Sequence, residues 1–535
     1  KNMDAERVRR FFASVEKNRC MAGGNLLDER KAPQQSATKG EAGTKAGREE
    51  TMFLGLDLGT SGVKALLIDG SQKPVASATG ELDVSRPHPG WSEQNPADWI
   101  AAAEEAVGRL KASHPKELAA VRGIGLSGQM HGATLIGGAG EALRPCILWN
   151  DTRSHKQAAA LDADPRFRKI TGNIVFPGFT APKLAWVKEN ERQVFAATRK
   201  VLLPKDYLRL WLTGEYISEM SDSAGTSWLD VAGRKWSAEL LAATDLGEGH
   251  MPDLVEGTEP GGTLRGSIAA RWGMGGNVVV AGGAGDNAAS ACGMGTVKPG
   301  HAFVSLGTSG VLFSANGAYM PNPESAVHTF CHALPGTWHQ MGVILSATDS
   351  LNWLEGITGK EAAELTKELG EDLRAPSSVI FLPYLSGERT PHNDAVIRGA
   401  FTGLAHRSDR AALTQAVLEG VAFAFRDCLE ALKAAGTELP RATAIGGGSR
   451  SRYWLKAVAT ALGLPVDLPA DGDFGAAFGA ARLGLIAAEK ADPFEVCTAP
   501  ATAETIDPDR NLSSAYADAY RRYRALYPAI KGALQ

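Results

Sequence analysis

No two cysteines in this sequence stand at a C-x-x-C or any other metal-ligand spacing. There are six of them, Cys20, Cys146, Cys292, Cys331, Cys428 and Cys497. That excludes a zinc ribbon or a C-x-x-C redox centre and leaves buried free thiols in a reducing, cytoplasmic setting as the expectation. No apolar run is long enough to span a bilayer, so no membrane partner is expected. No apolar signal-peptide core stands near the start. Charge of one sign is also missing: 56 Lys+Arg against 60 Asp+Glu give a net charge of −4. Without a basic surplus no nucleic-acid partner is expected, and without an acidic excess no disordered acidic class. A Walker loop, G-x-x-x-x-G-K-[ST], is absent too.

What is present is length, apolar residues and glycine. The chain has 535 residues, 44% of them hydrophobic and 22% charged, with 61 glycines. That length favours two or more domains with sizeable cores. Residues 1–51 stand apart: polar, without apolar period, with 11 Lys+Arg against 8 Asp+Glu. They read as a non-core, flexible extension, an upstream start or a cloning remnant. Their acids Asp4, Glu6 and Glu16 argue against a transit peptide. Met52 reads as the first residue of the folded body, and deletion of 1–51 is expected to leave activity intact.

From there strands and helices alternate, the pattern of an α/β layer architecture. The stretch "MFLGLDLGTSGVKALLID" predicts strand (53–57), tight turn (58–62), strand (63–68). The stretch "NPADWIAAAEEAVGRLKAS" predicts a helix capped by Asn95 or Asp98. Residues 409–436 predict a long amphipathic helix ended by Gly436.

The first turn returns. "DLGTSG" at Asp57–Gly62 becomes "SLGTSG" at Ser305–Gly310, again between strands. Five of six letters are kept, and the one that changes is the acid. Two halves that each open on such a hairpin predict a duplicated domain, the pair facing each other across a cleft. Glycine turns expose converging backbone N–H groups that bind anions. The loops Gly59, Thr60, Ser61 and Gly307, Thr308, Ser309 are therefore candidates to hold one polyphosphate from both sides. Asp57, at a strand end beside the first loop, is placed to hold Mg²⁺ through a bound water. The alternative for Asp57 is a carboxylate that only caps its turn. The stretch "GAGDNA" (283–288) also reads as a dinucleotide fingerprint, but no acid ends the next strand, "VSLG".

The order of segments resembles the FGGY carbohydrate kinases of the actin and hexokinase superfamily. The resemblance runs from Met52 to the C-terminal region. It is carried by "LGLDLGTSGVKALLID", "GQMHGATL", "LRPCILWND", "GFTAPKLAWVKEN", "GGAGDNAA", "SLGTSG", "FLPYLSGERTPH", "GAFTGLAHRSDRAALTQAVLEG" and "IGGGSRSRYW". It departs at Ala412, where a polar residue is usual. It implies two actin/hexokinase-like, ribonuclease H-like domains flanking a catalytic cleft. The expected division is an N-terminal domain over 52–297 for sugar and first phosphate loop, and a C-terminal domain over 298–535 for second phosphate loop and adenosine.

The resemblance also implies roles. Asp286 is the expected base that takes the proton of the attacking sugar hydroxyl. Met130 and His131 match the family's sugar-contacting pair. Trp149 offers an apolar face, and Asn150, Asp151 and Asn287 offer directional hydrogen bonds. Gly446, Gly447 and Gly448 look like the adenosine loop. Lys183 and Trp186 read as structural or interdomain, and the segment 386–392 has no assigned role. The "GQMHG" and "WND" segments point within the family to transfer of the γ-phosphate of MgATP to the 5-hydroxyl of D-xylulose. A kinase for ribulose or gluconate, a non-catalytic actin-like ATPase and a dinucleotide oxidoreductase are the competing readings. Sugar, ATP and Mg²⁺ are the expected ligands, with a homodimer as the expected assembly.

Overall fold

The structure, a computed structural model, describes residues 50–470 and 475–534. The expectation for 1–51 lies almost wholly outside the described residues. Two seven-stranded mixed sheets organise the rest of the chain.

In the first, β1 (Met52–Leu58), β2 (Gly62–Asp69) and β3 (Pro74–Glu81) run as an antiparallel meander. Helix α1 (Pro96–Ser113) starts where Asn95 accepts from the backbone N–H of Ala97 at 3.2 Å. Strand β4 (Val121–Gly128) then pairs parallel with β1. An excursion of about 130 residues carries α2 (Thr180–Asn190) and α3 (Pro204–Thr213) before the chain rejoins the sheet. It does so through β5 (Pro260–Thr263), β6 (Val279–Ala281) and β7 (Ala284–Gly285), and β7 runs directly into α4 (Asp286–Met294). The sheet order is β5-β6-β4-β1-β2-β3, with β7 also on β4.

The second sheet repeats the plan. Strands β8 (Ala302–Leu306) and β9 (Gly310–Asn316) form its hairpin, and β10 (His328–Cys331) and β11 (Trp338–Ile344) extend it. Helix α5 (Thr348–Thr358) and the long α6 (Arg410–Ala434), capped by Asp409, come next. After them come β12 (Ala442–Ile445), α7 (Arg452–Leu462), β13 (Val466–Pro469), α8 (Ala476–Glu489), β14 (Thr502–Ile506) and α9 (Ser513–Leu534). The order is β10-β11-β9-β8-β12-β13-β14. In both sheets the central hairpin strand has an antiparallel neighbour on one side and a parallel one on the other. The shared strand plan is the expected duplication, in the ribonuclease H-like arrangement.

One helix crosses between the halves. α8 comes late in the chain but packs on β1 and β4 of the first sheet. A Cβ built on Gly55 would lie 1.9 Å from Ala477 O, and one on Gly125 would lie 1.7 Å from Ala480 O. Only glycine lets the backbone of this helix lie so close to the strands. The 298–535 unit read from the sequence therefore includes a helix whose core contacts belong to the first sheet. A second link is the β10–β11 hairpin. Asn173 donates to Thr329 O (2.8 Å) and accepts from Thr329 N (2.9 Å), as a neighbouring strand would. Trp338 donates to Val231 O at 2.8 Å, and Arg234 to Thr337 O at 2.9 Å.

The five described cysteines are free and buried, as expected; Cys20 lies outside the described residues. Among the described residues no helix is long and apolar enough to cross a membrane.

Candidate active site

The carboxyl ends of parallel strands are where open α/β sheets bind ligands, and the sequence-chosen acids meet there. Asp57 and Ala284 both pair in register with Ser127, from opposite sides of β4. Asp286 lies two residues on, as the first residue of α4. Ser127 Oγ donates to Asp57 Oδ1 at 2.9 Å. Asp286 Oδ1 accepts from the backbone N (2.7 Å) and Nδ2 (2.9 Å) of Asn287. Burial, and then the charge of Asp57, push the Asp286 carboxyl up to about 6, against the two Asn287 hydrogen bonds. A carboxylate with its affinity for protons raised towards neutrality suits a general base.

The backbone under Asp286 is held from below. Arg209, fully buried, donates to the carbonyls of Ala281 and Gly282. Gly285 N donates to Ser221 Oγ at 3.1 Å. Lys205 joins Asp206 (2.7 Å), Asp222 (3.1 Å) and Glu219 (3.3 Å) in the same buried layer. The sequence alone assigned these residues no role. Their signal was a Lys and an Arg inside strongly apolar stretches.

His131 takes a left-handed backbone, φ 69°. Three groups hold it there. Its Nδ1–H donates to Gly225 O (2.7 Å), while its carbonyl accepts from Lys183 Nζ (2.8 Å) and Thr180 Oγ1 (3.1 Å). Its ring stacks on Phe179 at 4.5 Å. Burial lowers its pKa to about 3, so the imidazole is neutral and the Gly225 bond leaves Nε2 as an acceptor. Lys183, pushed down to about 7 by burial, is the anchor of this residue. Met130 lies beneath Gly285, whose built Cβ would meet Met130 Cγ at 2.9 Å.

The remaining sugar candidates separate. Asn150 Oδ1 is buried without a partner, an acceptor open to a hydroxyl donor. Trp149 is 48% exposed and donates to Thr60 Oγ1 at 3.0 Å. Asp151 is buried and engaged elsewhere: Arg153 Nε and Nη2 and the backbone N–H groups of Arg153 and Ser92 occupy its oxygens. Arg153 in turn lies 3.5 Å over Trp91 and 5.1 Å from Trp186. Asp151, expected from sequence to hydrogen-bond the sugar, thus has both oxygens engaged by Arg153 and Ser92.

The nucleotide candidates also assemble by register. Ser305 pairs with Ile445, which sets Gly446–Gly448 beside Gly307–Ser309. Gly446 has φ 90°, and its built Cβ would strike Leu306 O at 2.6 Å; that of Gly447 meets nothing within 4 Å. Gly447 thus opens a short 3-10 turn (Gly447–Arg450) beside the second loop with space over its own Cα, while Gly448 is buried. Among the described residues no cluster of three or more His, Cys, Asp or Glu side chains could hold a metal by itself. The Asp57–Asp286 pair suits Mg²⁺, which takes one or two carboxylates and completes its shell with water and phosphate oxygens.

Residues 52–293 match the family model "FGGY family of carbohydrate kinases, N-terminal domain", and 302–488 match the C-terminal domain of the same family. The chain belongs to the FGGY family of carbohydrate kinases. It is a sugar kinase, and membership implies ATP as the phosphoryl donor. Xylulose kinase of Escherichia coli (strain K12) is 47% identical over 482 residues, 90% of this chain and 99% of that protein. Xylulose kinase of Klebsiella pneumoniae is 50% identical over 440 residues, 82% and 90% of the two chains. A xyloylose kinase crystal structure from Brucella ovis is 72% identical, with a TM-score of 0.90 over 90% of this chain and all (100%) of that one. Nothing in these matches favours the actin-like ATPase or oxidoreductase readings.

Proposed function

We propose that this enzyme transfers the γ-phosphate of ATP to the 5-hydroxyl of D-xylulose, giving D-xylulose 5-phosphate. The single observation that carries the chemistry is Asp286, raised to about 6 and set beside Asp57 at the ends of adjoining strands. The choice of sugar rests on the xylulose kinase relatives.

On this reading the sugar lies over Met130 and neutral His131, with Asn150 accepting from one of its hydroxyls. Its reacting hydroxyl faces Asp286, which accepts the proton as the oxygen attacks phosphorus in line. The Asn287 bonds fix the carboxylate, while the layer of Arg209, Ser221 and Lys205 keeps it from drifting. Loops 59–61 and 307–309 present N–H groups to the phosphates, and Gly446–Gly448 accept adenosine. Asp57, with Asp286 near it, would hold Mg²⁺ through water; bound there, the ion neutralises charge on the phosphates. Most of the acceleration comes from positioning and preorganised charge. The partners are sugar and ATP alone, the setting is cytoplasmic and the assembly a homodimer; light scattering of the purified protein checks the last.

The test is coupled ADP release with MgATP and a panel of D-xylulose, L-xylulose, D-ribulose, L-ribulose, gluconate and glycerol. Preference for D-xylulose is expected. Turnover with a different sugar of the panel would overturn the substrate and leave the phosphate loops in place.

A further inference from the structure

Arg389 belongs to the segment 386–392, for which the sequence suggested no role. Its backbone is pinned on both sides. Thr390 N donates to Val343 O and Val343 N to Thr390 Oγ1, each at 3.0 Å. Glu388 Oε1 accepts from Arg389 N (2.7 Å) and Leu345 N (3.1 Å). The guanidinium is aimed across the junction of the two halves. It lies 4.3 Å from the Phe176 ring centroid, and Nη1 donates to His328 Nε2 at 3.2 Å.

The neighbouring Glu388 is the one carboxylate whose charge favours it, and the two form no ion pair. Among the described residues no ion pair involves Arg389, and burial pushes the neighbouring Glu388 carboxyl up to about 8, so at neutral pH that group is largely uncharged. Burial also lowers Arg389 to about 10. The residue is half-buried, and its single imidazole partner leaves donors of the guanidinium free for a ligand.

The contacts say which end of the site it meets. Gly285, just before Asp286, touches Met130. His131 comes next and stacks on Phe179, which packs against Phe176 (5.5 Å) and His328 (5.8 Å). Arg389 caps that aromatic row, and its charge is felt at the His131 imidazole. It therefore stands at the far end of the Met130–His131 floor from Asp286.

We propose that Arg389 touches the substrate, donating from its guanidinium fork to the carbonyl end of an open-chain 2-ketose whose opposite hydroxyl faces Asp286. This rests on the sugar-kinase reading above. The fork is donor-only, so it favours a carbonyl acceptor over the hydroxyl of the corresponding polyol.

The experiment measures kcat and KM for D-xylulose, and the inhibition constant of xylitol, for wild type, Arg389→Met and Arg389→Lys, with thermal melting as the folding check. Losing a hydrogen bond from a charged group predicts a KM about 10- to 100-fold higher for the ketose in Arg389→Met. Its kcat and the xylitol constant should stay within about threefold, and Arg389→Lys should fall between. If the methionine variant does not fold, the lysine variant, which keeps stem and charge but not the fork, carries the same ratio. Equal loss for ketose and polyol, or a fall in kcat with unchanged KM, would make Arg389 a strut between the halves and overturn the proposal. A wild type that ignores D-xylulose would overturn the sugar reading first, and this proposal with it.

Discussion

The two LGTSG hairpins share five letters and are built differently. In the first, Leu58 pairs with Val63 and Asp57 with Lys64. In the second, Leu306 pairs with Gly310 and Ser305 with Val311. The second turn is tighter by one residue. A slip of one turns the returning strand over. So Val63 is buried and Lys64 half-exposed in one copy, while Val311 is half-exposed and Leu312 buried in the other. The loops are also supported differently: the first is held by main chain and side chain together, with Gln94 Nε2 donating to Thr60 O (2.8 Å) and Leu82 N to Ser61 O (3.0 Å). The Thr60 side chain donates to Gln129 (3.2 Å) and accepts from Trp149 (3.0 Å). In the second loop it is the main chain that is held: Gly307 O accepts from Thr348 N (2.9 Å) and Oγ1 (2.8 Å), and Thr308 O from Ala347 N (2.8 Å). The first loop is tied to the sugar side of the site, whereas the second is tied to the start of α5 and keeps its exposed hydroxyls for a ligand. A repeated motif is thus one glycine turn on two different mountings, and the acid sits only on the one that adjoins Asp286.

The sharpest cut through this comparison is Asp286→Asn. It leaves both loops intact and should lower kcat by about 10³-fold, within the range of general-base catalysis, with KM for sugar within about threefold. An unchanged kcat in the coupled assay would remove Asp286 from its role. Next comes Asp57→Ser, which gives the first loop the letters of the second. A loss of about 10²- to 10³-fold in kcat/KM is expected. Adding Ser305→Asp in the same chain should restore nothing; recovery would mean the two mountings are interchangeable. The pH profile offers a smaller effect. Asp286 acts deprotonated, so kcat/KM should fall as pH drops through about 6. In Asp57→Asn the repulsion that helps raise Asp286 is gone, and the acid limb should move to lower pH; a limb that stays put would detach the two carboxylates from each other. Smallest is the packing contrast. Ile344 and Phe425 would lie 2.6 Å from a Cβ on Gly310, so Gly310→Ala should cost about 1–3 kcal/mol by urea unfolding. Gly59→Ala, with only Gly62 O at 3.4 Å, should stay within about 0.5 kcal/mol.

Much of the architecture was legible where local chemistry decides. Asn95 and Asp409 begin helices because their side chains accept the first free N–H groups. Gly436, at φ 96°, ends α6 as its lack of Cβ allows. Even the register slip left a trace, since Lys64 and Leu312 hold the same place in the repeat and only one is polar. What stayed hidden depends on partners far away in sequence. Nothing in the segment around Asp151 says that Ser92 N, 59 positions earlier, sits on one of its oxygens. Lys183 reads as structural, and nothing in its own segment says that it grips the His131 carbonyl 52 positions earlier. Nothing in the segment of α8 itself says that it packs on the first sheet.

The late position of α8 bears on how the protein is made. The helix lies on Gly55 and Gly125, yet leaves the ribosome about 420 residues after Gly55. At about 5–20 residues per second the first sheet waits roughly 20–85 seconds with one face bare. Its packing cannot be finished when its strands emerge; completion waits until α8 has emerged as well. Protease should cut β1–β4 readily in chains stalled at 470 and slowly in the released 535-residue chain, from which α8 is free to pack.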